Sequence, residues 1–179
     1  MKRKSILALL TNYALSYPQE EAVTNRFTDF VTSNPDCFER TLLSGHVTGS
    51  AWVVNKAGTH VLLTHHKKLN KWFQLGGHAD GESDILKAAL TEVAEESGLD
   101  AFEPISKDIF DIDIHAIPAR GDEPEHYHYD VRFAVRAMGS DAYIVSEESH
   151  DLSWVEIEKL VDYTQEESML RMGRKWLSS

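Results

Sequence analysis

The run Gly76-Gly77-His78-Ala79-Asp80-Gly81-Glu82-Ser83-Asp84, continuing through Ile85-Leu86-Lys87-Ala88-Ala89-Leu90-Thr91-Glu92-Val93-Ala94-Glu95-Glu96-Ser97 to Gly98-Leu99, decides how the chain folds. Two glycines follow the short apolar stretch Trp72-Phe73-Gln74-Leu75 and enter a segment of helical periodicity. The spacing predicts a helix over 83–97, capped by the Ser83 hydroxyl, favoured by Asp84 in the first turn and ended by Gly98. At about 100° per residue, Leu86, Ala89, Leu90 and Val93 form one apolar stripe. Glu92 and Glu96 stand one turn apart at its border, with Glu95 on the outer side. Like charges four residues apart repel, and the cost rises at the edge of a core unless a cation neutralises them. Clustered carboxylate oxygens suit a hard divalent cation such as Mg²⁺. A solvated acidic face accounts for the three glutamates taken alone. The two glycines favour the metal, because a glycine backbone approaches a ligand closely.

Outward from this run, Ser50-Ala51-Trp52-Val53-Val54 and His60-Val61-Leu62-Leu63-Thr64 read as strands, with a turn at Lys56-Ala57-Gly58. Asp111, Asp113 and His115 alternate with Ile112, Ile114 and Ala116, and residues 125–137 form a longer strand. Helical patterns are expected at 4–17 and 20–33 before the strands, and at 155–163 and 165–177 after them. The basic, apolar start resembles a signal peptide, but Asn12, Tyr13, Tyr17 and Gln19 stand where a small-residue cleavage site belongs, so a retained helix is expected. Strands mixed with helices give an α/β or α+β domain. The 179 residues suffice for one domain with its own core. Cys37 is the only cysteine, which excludes an internal disulfide and a thiolate zinc cluster and fits a cytoplasmic protein. The net charge of −11 argues against nucleic acid as a partner, and no apolar run is long enough for a membrane span.

The central run resembles the Nudix box, in which Gly, five residues, Glu, seven residues, Arg-Glu, an aliphatic, any residue, Glu-Glu, any residue, Gly and an aliphatic recur. Gly77, Glu92, Val93, Glu95, Glu96, Gly98 and Leu99 match it. Ser83 stands where the first Glu belongs, with Glu82 one place early, and Thr91 stands where Arg belongs. In the family those two residues form a structural ion pair; both members are absent together here, so no charge is orphaned. The resemblance implies a mixed β-sheet sandwiched between helices over residues 41–179; residues 1–40 lie outside the common domain, and their periodicity makes them a helical extension that caps a substrate pocket or a homodimer interface or packs plainly on the domain. It implies a Mg²⁺ site, with Mn²⁺ as the alternative, held by Glu92, Glu95, Glu96 and the Gly77 carbonyl. It further implies hydrolysis of a diphosphate linkage in a small-molecule nucleoside diphosphate derivative. An additional acid outside the box is a weaker inference, carried to Glu147 or Glu148; a solvated turn explains those two equally well. Nudix-like domains that bind nucleotides without cleaving them give the alternative of a sensor or interaction module, and isomerases of isoprenoid diphosphates a more remote one.

Two further groups are candidates for substrate contact. His65 and Lys67 lie in a basic turn, which a solvated hairpin also explains. In His126-Tyr127-His128-Tyr129-Asp130, alternation puts both histidines and Asp130 on one strand face. That face contacts substrate, holds a second metal or is a bland polar surface. His78 is a third candidate imidazole beside the glycines.

Overall fold

Gly45–Val54 forms β1, whose ten residues are all buried because the strand runs through the middle of the sheet. The computed structural model describes residues 2–67, 70–122, 124–147 and 149–179. Two helices, α1 (Lys4–Ser16) and α2 (Glu21–Ser33), precede β1 and are joined by a 3-10 turn at Pro18–Glu20. After it come β2 (His60–His66), β3 (Lys71–Phe73), β4 (Leu75–His78) and α3 (Ile85–Ser97). β5 (Phe102–Pro104), β6 (Asp111–Ile117), β7 (His126–Ala137) and β8 (Ser149–Glu156) lead to a 3-10 turn at Ile157–Asp162 and to α4 (Glu167–Leu177).

Among the described residues, eight strands make one mixed sheet. β1 runs parallel to β7 in unbroken register from Gly45↔Tyr127 to Val54↔Arg136. On its other side it meets β4, from Thr48↔His78 to Ala51↔Leu75, and β2 at Val54↔Val61. β7 also pairs with β5 and β6 on one edge, and β2 with β3 and β8 on the other. Helices cover both faces. On one, Ile85, Ala89 and Val93 of α3 pack on Val47, Ala51, Val53, Val131 and Phe133. On the other, Met169 and Met172 of α4 pack on Trp52, Val54, Val61, Leu63 and Val155.

The N-terminal helices share the α3-side core. Ile6, Leu10, Phe27, Phe30 and Val31 cluster with Val47, Ile112 and Val131, and Phe30 stacks on Tyr129 at 3.7 Å between centroids.

At three boundaries the difference from the sequence expectation has a structural reason. β1 starts at Gly45 instead of 50, because the pairing with β7 extends beyond the apolar residues. The segment expected to be helical from 155 is still strand at Val155 and Glu156, which pair with Val61 and His60; only the 3-10 turn follows. Helix α3 begins at Ile85, and its cap is Asp84, whose carboxylate accepts from the Lys87 N–H at 3.2 Å, so Ser83 lies outside the helix. The misplaced box charge is used. Glu82 accepts from the Lys87 ammonium at 2.6 Å and from the Asp84 N–H at 2.9 Å, while Thr91 bonds back to the Lys87 carbonyl at 3.0 Å.

If α1 and α2 belong to the same cooperative core, Phe27→Ala should cost about 3–5 kcal/mol of global stability. Urea unfolding followed by tryptophan fluorescence and by circular dichroism should give one coincident transition. A separate early transition confined to the helical signal would show that the extension folds independently.

Candidate active site

The loop from β4 to α3 sets the site. Strand alternation in β4 sends Gly77 toward α3 and Gly76 and His78 toward the opposite face. A Cβ on Gly77 would lie 2.5 Å from the Glu92 carboxylate carbon, and a Cβ on Gly76 would lie 2.2 Å from the Ser50 hydroxyl. Each glycine therefore vacates the space that another functional group fills. The Gly76 N–H donates to Glu96 Oε2 at 2.9 Å, and Glu96 is 9% exposed. The loop is tied down by the Arg40–Asp80 pair and by the Gly81 N–H, which donates to the Phe38 carbonyl at 2.9 Å.

The buried side of α3 is Ile85, Ala88, Ala89, Val93 and Glu96, with Glu92 half-buried and Leu86 and Leu90 partly exposed. The helix is thus rotated by about 70° from the stripe expected, at about 100° per residue. The rotation brings Glu92 and Glu96 inward. The cause lies in the sheet: Gly49 has no side chain, and a Cβ there would meet the Ile85 carbonyl at 3.0 Å. Glu95 is exposed and lines a shallow surface groove with Lys87, Leu90, Thr91 and Phe102.

The structure therefore joins Gly77, Glu92 and Glu96 and leaves Glu95 on the solvent side. Their donor set is oxygen only, the chemistry that a hard divalent cation requires, and the cradle exists only because residue 77 lacks a Cβ. Glu148 lies outside the described residues. Glu147 is exposed in a turn, and its main-chain carbonyl accepts from Lys67. His65 stacks on Trp72 at 4.9 Å and faces His150 at 5.3 Å, contacts that belong to the β2–β3–β8 edge.

The remaining histidines meet on the sheet face opposite α3. Register places His46 beside His128, His128 beside His115, and Thr48 beside His78. His126, His128 and Asp130 do share that face, while Tyr129 turns into the α3-side core. His46, buried at 1% exposure, went unread in the sequence, since it precedes the apolar residues that announce β1. Burial, helped by His78 and His126, lowers the His46 pKa to about 4. Burial, helped by His46 and His78, lowers that of His128 to about 3.

A buried charge network continues the same face. Asp130 accepts from Thr48 and Ser50 at 2.8 and 2.7 Å, from Gln74 at 3.2 Å and from Arg132 Nε at 2.7 Å. Arg132 also donates to Asp111 at 3.1 Å, which takes two bonds from Arg171 at 2.9 and 2.7 Å and one from Lys175 at 2.7 Å. Asp113 loses solvation on burial, but the His115 hydrogen bond and the charges of Arg132 and Arg171 outweigh this and lower it to about 2. In the sequence, Asp111, Asp113 and His115 give only strand texture; their cationic partners lie 21 and 60 residues away in the case of Asp111.

The family model of the NUDIX domain matches residues 45–176. The chain belongs to the Nudix hydrolase family. No curated protein matches the sequence. Solved structures with the same fold include an Ap4A hydrolase of C. elegans in a binary complex, at 20% identity and TM-score 0.60, covering 74% of this chain and 95% of that one. A NUDIX-family hydrolase from Clostridium perfringens is similar at 23% identity and TM-score 0.52, covering 73% and 95%. The NUDIX domain of Shewanella oneidensis NrtR, complexed with ADP ribose, is similar at 14% identity and TM-score 0.52, covering 79% and 90%.

Two outcomes are expected. Gly77→Ala should leave the fold intact but displace the Glu92 carboxylate, weakening Mn²⁺ binding, read by electron paramagnetic resonance, on the order of tenfold or more. Unchanged affinity would remove Gly77 from the site. Secondly, His46 and His128 have folded pKa values below that of an unfolded histidine, so the unfolded chain binds more protons as pH falls below about 6.5. Metal-free protein should hold full stability from these groups above that pH and lose it on the way down to pH 4, with a slope approaching about 1.4 kcal/mol per pH unit for each imidazole. Urea unfolding that gives the same free energy at pH 7 and pH 5 would contradict this.

Proposed function

We propose that the chain hydrolyses a phosphoanhydride bond in a small nucleoside diphosphate linked to a second group, with Mg²⁺, or Mn²⁺ in its place, as the cofactor. The observation that carries the reading is the Glu92 carboxylate seated in the space that a Gly77 side chain would occupy, one helical turn from Glu96. Glu92, Glu96 and the Gly77 carbonyl would hold the cation, with Glu95 completing the carboxylate set from the solvent side. When bound, the cation supplies neutralisation of the diphosphate and polarisation of the attacked phosphorus.

The chain's own residues do the positioning. The Gly76 N–H fixes one Glu96 oxygen and so orients the carboxylate before substrate arrives. Glu95 is exposed and suited to take a proton from the attacking water at a carboxylate oxygen; Glu147 is the alternative from outside the box. His78, His126 and His128 lie on the sheet face opposite the carboxylates, so they would contact only a part of the substrate that reaches past β4. His65 and Lys67 would contribute only to a substrate long enough to reach the β2–β3–β8 edge.

The altered box leaves the carboxylates in place: the Glu82–Lys87 pair stands at the start of α3 where the family's ion pair is missing. The domain reading follows: residues 1–40 as a helical extension on a Nudix domain of residues 41–179. Among the described residues, no helix is long and apolar enough to cross a membrane. A cytoplasmic setting is part of the proposal, supported by the single buried thiol of Cys37.

The test is a panel of nucleoside diphosphate compounds with Mg²⁺, scored for phosphate-bearing products. Glu96→Gln should keep the melting temperature or raise it slightly, since it relieves repulsion with Glu92. It should cut turnover by roughly 100-fold or more, about 2.7 kcal/mol of barrier. Tight Mg²⁺-dependent nucleotide binding with no cleavage across the panel would establish the sensor reading instead. Wild-type turnover by Glu96→Gln would displace the site.

A further inference from the structure

The histidine face carries an observation that the hydrolase reading does not use. His46 is 1% exposed, and neither of its ring nitrogens has a hydrogen-bond partner; Nε2 of His128 is likewise buried and unpartnered. A neutral imidazole carries one donor and one acceptor, and leaving a buried polar atom unsatisfied costs the desolvation of that group. A fold that needed only filler at position 46 would place an aliphatic residue there, as it does at Val47.

The surroundings show what those nitrogens face. The His78 and His128 rings lie 5.0 and 4.8 Å from that of His46, and 5.1 Å from one another. One ligand atom from each of the three falls within 4.8 Å of the other two. With metal–nitrogen bonds of about 2.1 Å, a tetrahedral centre needs such atoms about 3.4 Å apart. Side-chain rotation of the partly buried His78 and His128 would close that difference, while strand register holds all three backbones in place. Neighbouring groups have other commitments. Asp130 is saturated by Thr48, Ser50, Gln74 and Arg132, and Nδ1 of His115 pairs with Asp113 at 3.1 Å.

We propose that His46, His78 and His128 bind one transition-metal cation of the Zn²⁺, Co²⁺ or Ni²⁺ class, with a fourth position open to water or a phosphate oxygen. Three imidazoles select borderline metals over Mg²⁺, which takes oxygen ligands. The site is distinct from the carboxylates: alternation in β4 points Gly77 to Glu92 and His78 to the opposite face. It stands whether or not the chain hydrolyses a diphosphate.

The experiment uses the full chain, stripped with a chelator and dialysed against Zn²⁺ or Co²⁺ in the presence of excess Mg²⁺. Roughly one equivalent of metal per chain should bind with micromolar or tighter affinity. The Co²⁺ form should show the visible absorption of a four-coordinate, nitrogen-rich centre. Glu92→Gln and Glu96→Gln should keep this binding, which separates its failure from failure of the hydrolase reading. His78→Ala and His128→Ala should weaken it about 100-fold or more. Because His46→Ala risks the fold, His78→Ala, at a less buried position, is the primary variant, with its melting curve recorded alongside. Substoichiometric Zn²⁺ at micromolar free metal would overturn the proposal. So would one equivalent that survives both histidine changes, or one that Mg²⁺ displaces and Glu96→Gln abolishes.

Discussion

The parallel pairing of β1 with β7 is the constraint on which the rest of the molecule depends. Ten consecutive residue pairs lock the two strands from Gly45↔Tyr127 to Val54↔Arg136. With a side-chain period of two, a slip by one residue would send every β7 side chain to the other face. Tyr129, Val131 and Phe133 would leave the core, and Asp130 and Arg132 would enter it. The register is therefore defended from both sides at once, by apolar burial and by the cost of misplacing charge. β4 inherits its position from β1, and α3 inherits its own from β4 and from the missing side chain of Gly49.

The two faces of this strand pair are built on opposite principles. Toward α3 the packing is apolar, and among the described residues the carboxylates admitted there are those of the glycine cradle. On the other face, Asp111, Asp130 and Arg132 are almost fully buried and bind one another and the cations of α4. Desolvating such ions costs several kcal/mol each, so a network like this is a poor source of net stability. Its effect is on position: it leaves Asp130 and its neighbours one arrangement in which every charge is met. The histidines at the end of that row therefore sit on a rigid floor.

Much of this was legible in the sequence. The run from Gly77 to Leu99 carried family, helix and carboxylates, because local periodicity and fixed spacing suffice for all three. Alternation placed His126, His128 and Asp130 on one face for the same local reason. What stayed hidden depended on pairing across long separations. His46 joins the cluster only through its register with His128, and Asp111 is a network centre only because Arg132 and Arg171 reach it. Residues 155–157 carry helix-compatible apolar spacing, yet two of them are drawn into strand by β2. The rotation of α3 was equally invisible, since it is set by a glycine on a strand that the helix merely touches.

Lys175, in α4, donates to Asp111, to Glu20 and to the Tyr13 hydroxyl, all at 2.6–2.7 Å, and Tyr13 in turn donates to Glu20 at 2.5 Å. This knot has a consequence for how the polypeptide is made. Helix α2 finds its aromatic partner Tyr129 on β7 about a hundred residues later in the chain, and Tyr13 finds its polar latch in Lys175 of α4, 162 residues on. Early in synthesis these helices have only part of their native apolar cover, from Phe38 and Val47, and the share from Ile112, Tyr129 and Val131 comes much later. Closure of this core is therefore a late event, in which helix α1 and the 3-10 turn after it are fastened by a helix made well over a hundred residues later.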